Sequence, residues 1–166
     1  MVAAHTEVER KWLVPEPPPD ALAAPAEPIE QGYLTIGAGG GETRLRRRGE
    51  SLTLTVKSGA GPVRAETEIE LTRGQFEALW PATAPARLSK RRHLLPGEGG
   101  RETIELDVYA GSLAGLVVAE VEFSDLHAAR AYLPPPWFGR EVTDDGAYRN
   151  QRLALAAGGV PAPKSA

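Results

Sequence analysis

The chain has 166 residues, 42% of them hydrophobic and 25% charged, which is enough apolar material for one domain with a real core. A net charge of −3 argues against a nucleic-acid binder at the level of the whole chain. The chain has no cysteine, so disulfides, thiolate chemistry and Cys-zinc sites are excluded; with no secretory signal read in its first residues and no apolar run near the ~18 residues of a membrane span, the expectation is a cytoplasmic protein, monomer or homodimer, with neither nucleic acid nor membrane as partner.

In chain order, "HTEVERKWLV" reads as a strand, with Glu7, Glu9 and Lys11 on one face and Val8, Arg10 and Trp12 on the other. "PEPPPDALAAPAEP" (Pro15 to Pro28) reads as a proline-rich connection outside any sheet. "IEQGYLTI" (29–36) is a strand, and the following "GAGGG" is a turn; it lacks the Gly-Lys-Ser/Thr ending and the helix of a phosphate loop. "ETRLRRRG" and "SLTLTVKS" form a hairpin around Gly49-Glu50, and "VRAETEIEL" (63–71) follows as a strand. Thr72 caps a helix over "RGQFEALW". "SKRRHLLP" and "RETIELDVY" pair around "GEGG", and "LVVAEVEF" (116–123) is the last strand. Ser124 caps "DLHAARAYL", and 144–157 reads as a C-terminal helix before the frayed tail 158–166. The predicted fold is an α+β, mostly β, antiparallel domain over 1–157, with eight strands and a few short helices packed outside.

The strands share one property. Arg44, Arg46 and Arg48 lie on one face of theirs, with Arg47 opposite. Lys57 stands with Thr53 and Thr55; Arg64 with Glu66, Glu68 and Glu70; Glu105 with Asp107; Glu120 with Glu122. Any one such face is ordinarily solvated. Here carboxylate pairs and basic runs alternate by strand, and amphipathic helices need an apolar surface to cover. A barrel with its apolar side outward supplies that surface and encloses a charged tunnel. Burying charge costs several kcal/mol per ion, so such an interior is a poor device for stability alone. Guanidinium and ammonium groups bind phosphate oxygens, and carboxylates hold hard cations such as Mg²⁺ or Mn²⁺. The two together point to metal and phosphate.

The motif order resembles the CYTH, or triphosphate tunnel metalloenzyme, superfamily. "EVERK" matches its E-x-E-x-K signature, and "TRLRRRG", "LTVKS", "RAETEIE", "SKRRHLLP", "IELDVYAG" and "LVVAEVEF" follow in family order. The likeness runs from about Thr6 to Leu155 and is strongest to short bacterial inorganic triphosphatases. It implies an eight-stranded antiparallel barrel and metal-dependent hydrolysis of triphosphate by metal-activated water, with two ions of Mg²⁺ or Mn²⁺ in each active tunnel. It also implies Glu7, Glu9, Asp107, Glu120 and Glu122 as metal residues. Lys11, Arg44, Arg46, Lys57, Arg64, Lys90 and Arg92 are implied as substrate-binding, with Lys11, Lys90, Glu120 and Glu122 at the reaction itself. Glu66, Glu68 and Glu105 line the tunnel on this reading, and Tyr33, Tyr148 and Trp137 are packing residues. The rival readings are an enzyme acting on an organic triphosphate and a non-catalytic polyphosphate-binding module.

Overall fold

The structure is a computed structural model that describes residues 8–58 and 65–158. Eight strands form one antiparallel sheet: β1 (Val8–Leu13), β2 (Ala26–Ile36), β3 (Glu42–Arg48), β4 (Ser51–Ser58), β5 (Ala65–Glu70), β6 (Arg87–Pro96), β7 (Thr103–Tyr109) and β8 (Val117–Phe123). Their spatial order is β1-β8-β7-β6-β2-β3-β4-β5. Four helices accompany them: α1 (Pro19–Ala23), α2 (Arg73–Leu79), α3 (Leu126–Ala131) and α4 (Asn150–Ala157). Among the described residues no helix is long and apolar enough to cross a membrane. The expected tail lies outside the described residues beyond Gly158.

The eight-stranded antiparallel architecture matches the expectation, but the sheet does not close. Among the described residues β1 and β5 form no ladder with each other. The outer edge of β1 is used by another segment. Leu13 N–H donates to Arg140 O (2.9 Å), Val142 N–H to Lys11 O (2.8 Å) and Gly139 N–H to Leu13 O (2.8 Å). A Cβ at Gly139 would stand 2.9 Å from Leu13 O, so the close approach needs glycine there. An edge strand whose backbone groups are already bonded has none to offer a further strand.

Three local expectations are corrected. The proline-rich segment is not irregular throughout: α1 lies within it, and β2 begins at Ala26. Proline suits the first turn of α1, where its missing N–H would have no partner anyway. Pro28 sits inside β2, opposite Arg91 of β6. Its carbonyl accepts from Gly49 N–H (3.4 Å), beyond the last β2–β3 pair, Ile29 with Arg48. In an antiparallel strand a residue's N–H and C=O point to the same neighbour, so the N–H that Pro28 lacks is not one that β6 needs. Secondly, α3 is capped by Asp125, which accepts from Ala128 N–H (2.8 Å), while Ser124 donates to Asp125 (3.1 Å). Thirdly, α4 starts at Asn150 rather than 144, because Asp145 caps a separate 3-10 turn over Gly146–Tyr148. The cap on α2 is as expected: Thr72 and Gln75 form a reciprocal capping box.

The core has two parts. On the outside of β1, β7 and β8, Trp12, Val14, Leu106, Val121 and Phe123 pack with Ala21 of α1 and Ala129 of α3. The second part lies on the inward-facing side. Leu13, Tyr33, Leu88, Tyr109 and Val118 share parity with the charged positions of their strands, and they pack against Tyr148, Leu153 and Ala154. α4 therefore does not cover the outer face, as the expectation for all helices had it; it fills one end of the interior.

Candidate active site

A cavity of about 1020 Å³ occupies the rest of the interior. Strand register builds its walls. Glu9 is opposite Glu122 and Lys11 opposite Glu120 across β1–β8. Glu105 is opposite Glu120 across β7–β8. Arg44 is opposite Thr55 and Arg46 opposite Thr53 across β3–β4. Lys57 is opposite Glu66, and Thr55 opposite Glu68, across β4–β5. Directly paired residues point to the same side, so these side chains all face the cavity, and all the charged ones line it. The period of two also separates Arg46 from Arg47. Arg47 lies outside, paired with Glu30 (3.2 Å) and stacked over the Phe76 ring at 5.1 Å.

The β6-β7-β8 wall is saturated with ion pairs. Arg92 donates to Asp107 through Nε (2.7 Å) and Nη2 (2.6 Å), to Glu120 through Nη2 (2.9 Å), and to Glu105. Lys90 donates to the same Asp107 oxygen that Arg92 Nη2 uses. Lys11 Nζ stands 2.7 Å from Glu120 Oε1, and its contact with the Tyr148 carbonyl is 3.4 Å. These charges shift one another. Burial works against the ionised form of Glu120, but Lys11, Lys90 and Arg92 outweigh it and hold the carboxyl well below its usual range. Burial likewise opposes charge on Lys11, and Glu120 and Glu9 override it, raising the ammonium pKa. For Lys90 burial wins, aided by Arg92 against the pull of Asp107, so its pKa is lowered. Glu105 is raised, because burial outweighs the neighbouring Arg92.

The β3-β4-β5 wall is different. Arg44 approaches Glu42 and Glu66 only to 3.9 Å each. Lys57 pairs with Glu66 at 2.7 Å, and Glu68 receives Arg46 (3.2 Å) and the Thr55 hydroxyl (2.8 Å). The Nε atoms of Arg44 and Arg46 are buried and have no hydrogen-bond partner among the described residues. Burial and the adjacent Arg44 guanidinium push the Arg46 pKa down. Two guanidinium groups side by side with unused buried donors are an anion site in waiting.

Most of the predicted residues are thus brought together: Glu9, Lys11, Arg44, Arg46, Lys57, Glu66, Glu68, Lys90, Arg92, Glu105, Glu120 and Glu122. Glu7 and Arg64 lie outside the described residues. Asp107 is set apart. It is fully buried behind Lys90 and Arg92, does not line the cavity, and accepts from those two at both oxygens. Among the described residues no three His, Asp or Glu side chains form a ready-made metal cage. Sequence reasoning missed Gln31, Asn150 and Gln151, which line the cavity, and placed Tyr33 and Tyr148 in the packing alone, whereas both also form cavity wall. Alternation from Arg44 and Arg46 across to β2 would have found Gln31 and Tyr33, their cross-strand partners.

No protein-family model matches the chain. It is 47% identical over 151 residues to the inorganic triphosphatase of Nitrosomonas europaea, covering 91% of this chain and 98% of that one. It is 34% identical over 151 residues to the inorganic triphosphatase of Acetivibrio thermocellus, covering 89% and 92% respectively. The crystal structure of the inorganic triphosphatase NE1496 superposes with a TM-score of 0.69 at 45% identity, over 91% of this chain and 95% of that one. At 17% identity the PH1012 protein of Pyrococcus horikoshii shares the fold alone, with a TM-score of 0.53 over 75% of this chain and 82% of that one. By sequence along almost its whole length, the chain belongs to the family of the inorganic triphosphatases.

Proposed function

We propose that the protein hydrolyses inorganic triphosphate to pyrophosphate and phosphate in the charged cavity, and that it does so with a divalent cation. The observation that carries this reading is the pair of buried guanidinium Nε donors on Arg44 and Arg46 that have no partner among the described residues. A buried donor without an acceptor costs about 1–3 kcal/mol, and more when charged. A polyphosphate oxygen removes that cost with a charge-assisted bond.

The donor chemistry fits a hard cation. Mg²⁺ characteristically takes one or two carboxylates and completes its shell with water and substrate phosphate, so it needs no protein cage. Glu9 and Glu122, exposed to the cavity on paired strands, are such a set, with Glu120 beside them. Glu7 has the parity to join them. When bound there, Mg²⁺ or Mn²⁺ supplies neutralisation of phosphate oxygens and a more acidic water. The number of ions is taken as two, one for each of those tasks.

The chain's own residues do the rest. Arg44, Arg46 and Lys57 hold the phosphate chain along the β3-β4-β5 wall; the family resemblance assigns Arg64 the same role. Lys11, Lys90 and Arg92 face it from the opposite wall. As water adds to a terminal phosphorus and the bridging P–O bond breaks, charge gathers on the departing pyrophosphate. Lys90 and Arg92, already fixed by Asp107, meet that charge without reorganising. We assign Asp107 the role of positioning Lys90 and Arg92 rather than of holding metal. Glu66, Glu68 and Glu105 keep the basic groups oriented and limit their mutual repulsion.

Phosphate release should be measured with triphosphate, ATP, thiamine triphosphate and long-chain polyphosphate. Triphosphate should exceed ATP at least about tenfold in kcat/KM, or ~1.4 kcal/mol of transition-state stabilisation. EDTA should abolish turnover, and Mg²⁺ or Mn²⁺ should restore it. Faster turnover of ATP than of triphosphate, or full activity after exhaustive chelation, would refute the reading.

A further inference from the structure

The floor of the cavity is the first turn of α4. Tyr148, Arg149, Asn150 and Gln151 line the cavity, and the remainder of the helix does not. The helix has no side-chain cap: Arg149 occupies the N-cap position and makes no capping hydrogen bond. Its first turn thus borders a space walled by lysine and arginine without a side chain to accept from its first peptide N–H groups, and the positive end of its dipole lies at that border. A second observation is independent of the helix end. Gln151 is only 4% exposed, lines the cavity, and its Oε1 has no hydrogen-bond partner among the described residues. Its neighbour Asn150 is already used, accepting from the Tyr109 hydroxyl (2.6 Å), and Tyr109 in turn lies under Lys90, whose Nζ is 5.4 Å from the ring centroid. Lys11 reaches the same floor through the Tyr148 carbonyl. Beyond this turn Leu13, Leu88, Val118, Leu153 and Ala154 pack together without charge, and none of them lines the cavity, so the cavity does not continue through them.

From this geometry we propose that the first turn of α4, with Gln151 as its side-chain contact, seats a terminal phosphate group of a linear polyphosphate and requires that end to be uncapped. The proposal rests on the polyphosphate reading above and specifies its substrate class further. A terminal phosphate carries one more ionisable oxygen than an internal one. That makes it the better match to a helix N-terminus, which favours negative charge. It also makes it the better match to a carboxamide: as it stands the unpartnered Oε1 of Gln151 accepts from a P–OH, which an ionised internal phosphate lacks, and after a half-turn the amide offers an N–H donor to an ionised oxygen. An ester group on that phosphate has no room below it, because the floor continues as packed side chains. Chains with one organic cap can enter free end first, with the cap toward the open end. Chains capped at both ends cannot seat.

The test is binding and turnover by the whole chain with Mg²⁺. Triphosphate, adenosine 5′-tetraphosphate (one free end) and P1,P4-di(adenosine-5′) tetraphosphate (no free end) are compared, with imidotriphosphate as the slowly cleaved ligand for calorimetry. The doubly capped chain should bind at least about a hundredfold more weakly than the singly capped one. Gln151→Leu, close in size, should weaken imidotriphosphate binding about tenfold and leave the weak binding of the doubly capped chain unchanged. Gln151→Glu, which adds a carboxylate at the floor, should weaken imidotriphosphate further. Thermal melting of each variant shows whether it is folded, and the wild-type comparison of capped and uncapped chains needs no variant at all. Equal affinity for the singly and doubly capped chains, or unchanged imidotriphosphate affinity in a folded Gln151→Leu, would overturn this proposal while leaving the triphosphatase reading intact. No binding of imidotriphosphate or triphosphate by the wild type would overturn both.

Discussion

Replacing Asp107 by asparagine separates two roles that a cavity carboxylate can have. Asp107 is fully buried and accepts three hydrogen bonds, from Lys90 and from Arg92 Nε and Nη2. Asparagine keeps the shape, removes the charge and turns one oxygen into an N–H₂ donor. That donor then faces either Lys90 or Arg92, which have no lone pair to give it. Removing one partner of a buried ion pair costs about 3–5 kcal/mol, because the other charge stays buried without compensation. For a domain of this length each kcal/mol moves Tm by roughly 2–4 °C, so the loss is on the order of 6–20 °C. Glu120 and Glu105 still contact Arg92, which places the expectation in the lower half of that range.

The assay is thermal melting with EDTA and again with Mn²⁺, followed by steady-state kinetics. A positioning carboxylate predicts a lowered Tm in both media, by the same amount. It also predicts an alkaline limb of kcat moved to lower pH, since Asp107 is the largest influence holding Lys90 protonated against its burial. A metal ligand predicts the reverse pattern: a small change of Tm in EDTA and a large loss of the stabilisation by Mn²⁺. If Asp107→Asn melts within about 2 °C of wild type in EDTA and fails to respond to Mn²⁺, the assignment of Asp107 as a positioning residue is wrong.

Two further outcomes follow from the same geometry. Arg46→Ala should raise KM for triphosphate about tenfold, while Arg47→Ala, one residue along on the outer face, should stay within about twofold, since its exposed pair with Glu30 is worth at most ~1 kcal/mol; the opposite ranking in phosphate-release assays would mean that the face assignment of β3 is reversed. Glu120 has a native pKa below its ordinary value of 4.5, so the unfolded chain binds more protons in acid and the stability from this group is complete above pH 4.5 and lost as pH falls toward the native pKa. Melting curves below pH 4.5 should therefore show a steep loss of Tm that is shallower in Glu120→Gln, and an unchanged slope in that variant would remove Glu120 from the acid response.

The sequence carried the faces of the strands but not their depth. A strict period of two places Arg46 inside and Arg47 outside with no further information, and the same count orients Glu9, Lys11, Glu105, Glu120 and Lys57. Asp107 obeys the same parity and yet does not reach the cavity. Its side chain has one methylene, whereas Lys90 and Arg92 on the adjacent strand are long enough to close over it. Parity cannot register that difference. Gln31 goes unread and Tyr33 reads as packing alone because neutral residues on an inward face look like core, which Tyr33 partly is. The place of α4 was hidden for another reason. Amphipathicity says that Leu153 and Ala154 are buried, not against which surface, and the apolar patch that receives them lies on the inward-facing side at one end of otherwise charged strands. Pro28 misled because the rule against proline in sheets concerns the N–H a ladder needs, and this position needs only an acceptor.

The two walls of the cavity differ in how well their charges are matched, and that difference gives a division of labour. On the β6-β7-β8 wall every buried cation has a carboxylate within hydrogen-bonding distance, so the empty cavity keeps its shape. On the β3-β4-β5 wall Arg44 approaches its carboxylates only to 3.9 Å, and among the described residues two guanidinium donors remain unused. An arriving anion thus meets its strongest new bonds on the second wall without first breaking the pairs of the first. Lys11 stands between the two regimes. In the empty cavity it is committed to Glu120, and a phosphate that draws it away leaves Glu120 with one cation fewer, Arg92 still in contact, beside Glu9 and Glu122. On the proposed assignment, anion binding therefore raises the affinity for a cation at those carboxylates. By linkage, a cation there must raise the affinity for the anion by the same factor. A cavity lined with both signs of charge is in this sense a device for taking up metal and phosphate together. Its charges neutralise one another until both arrive.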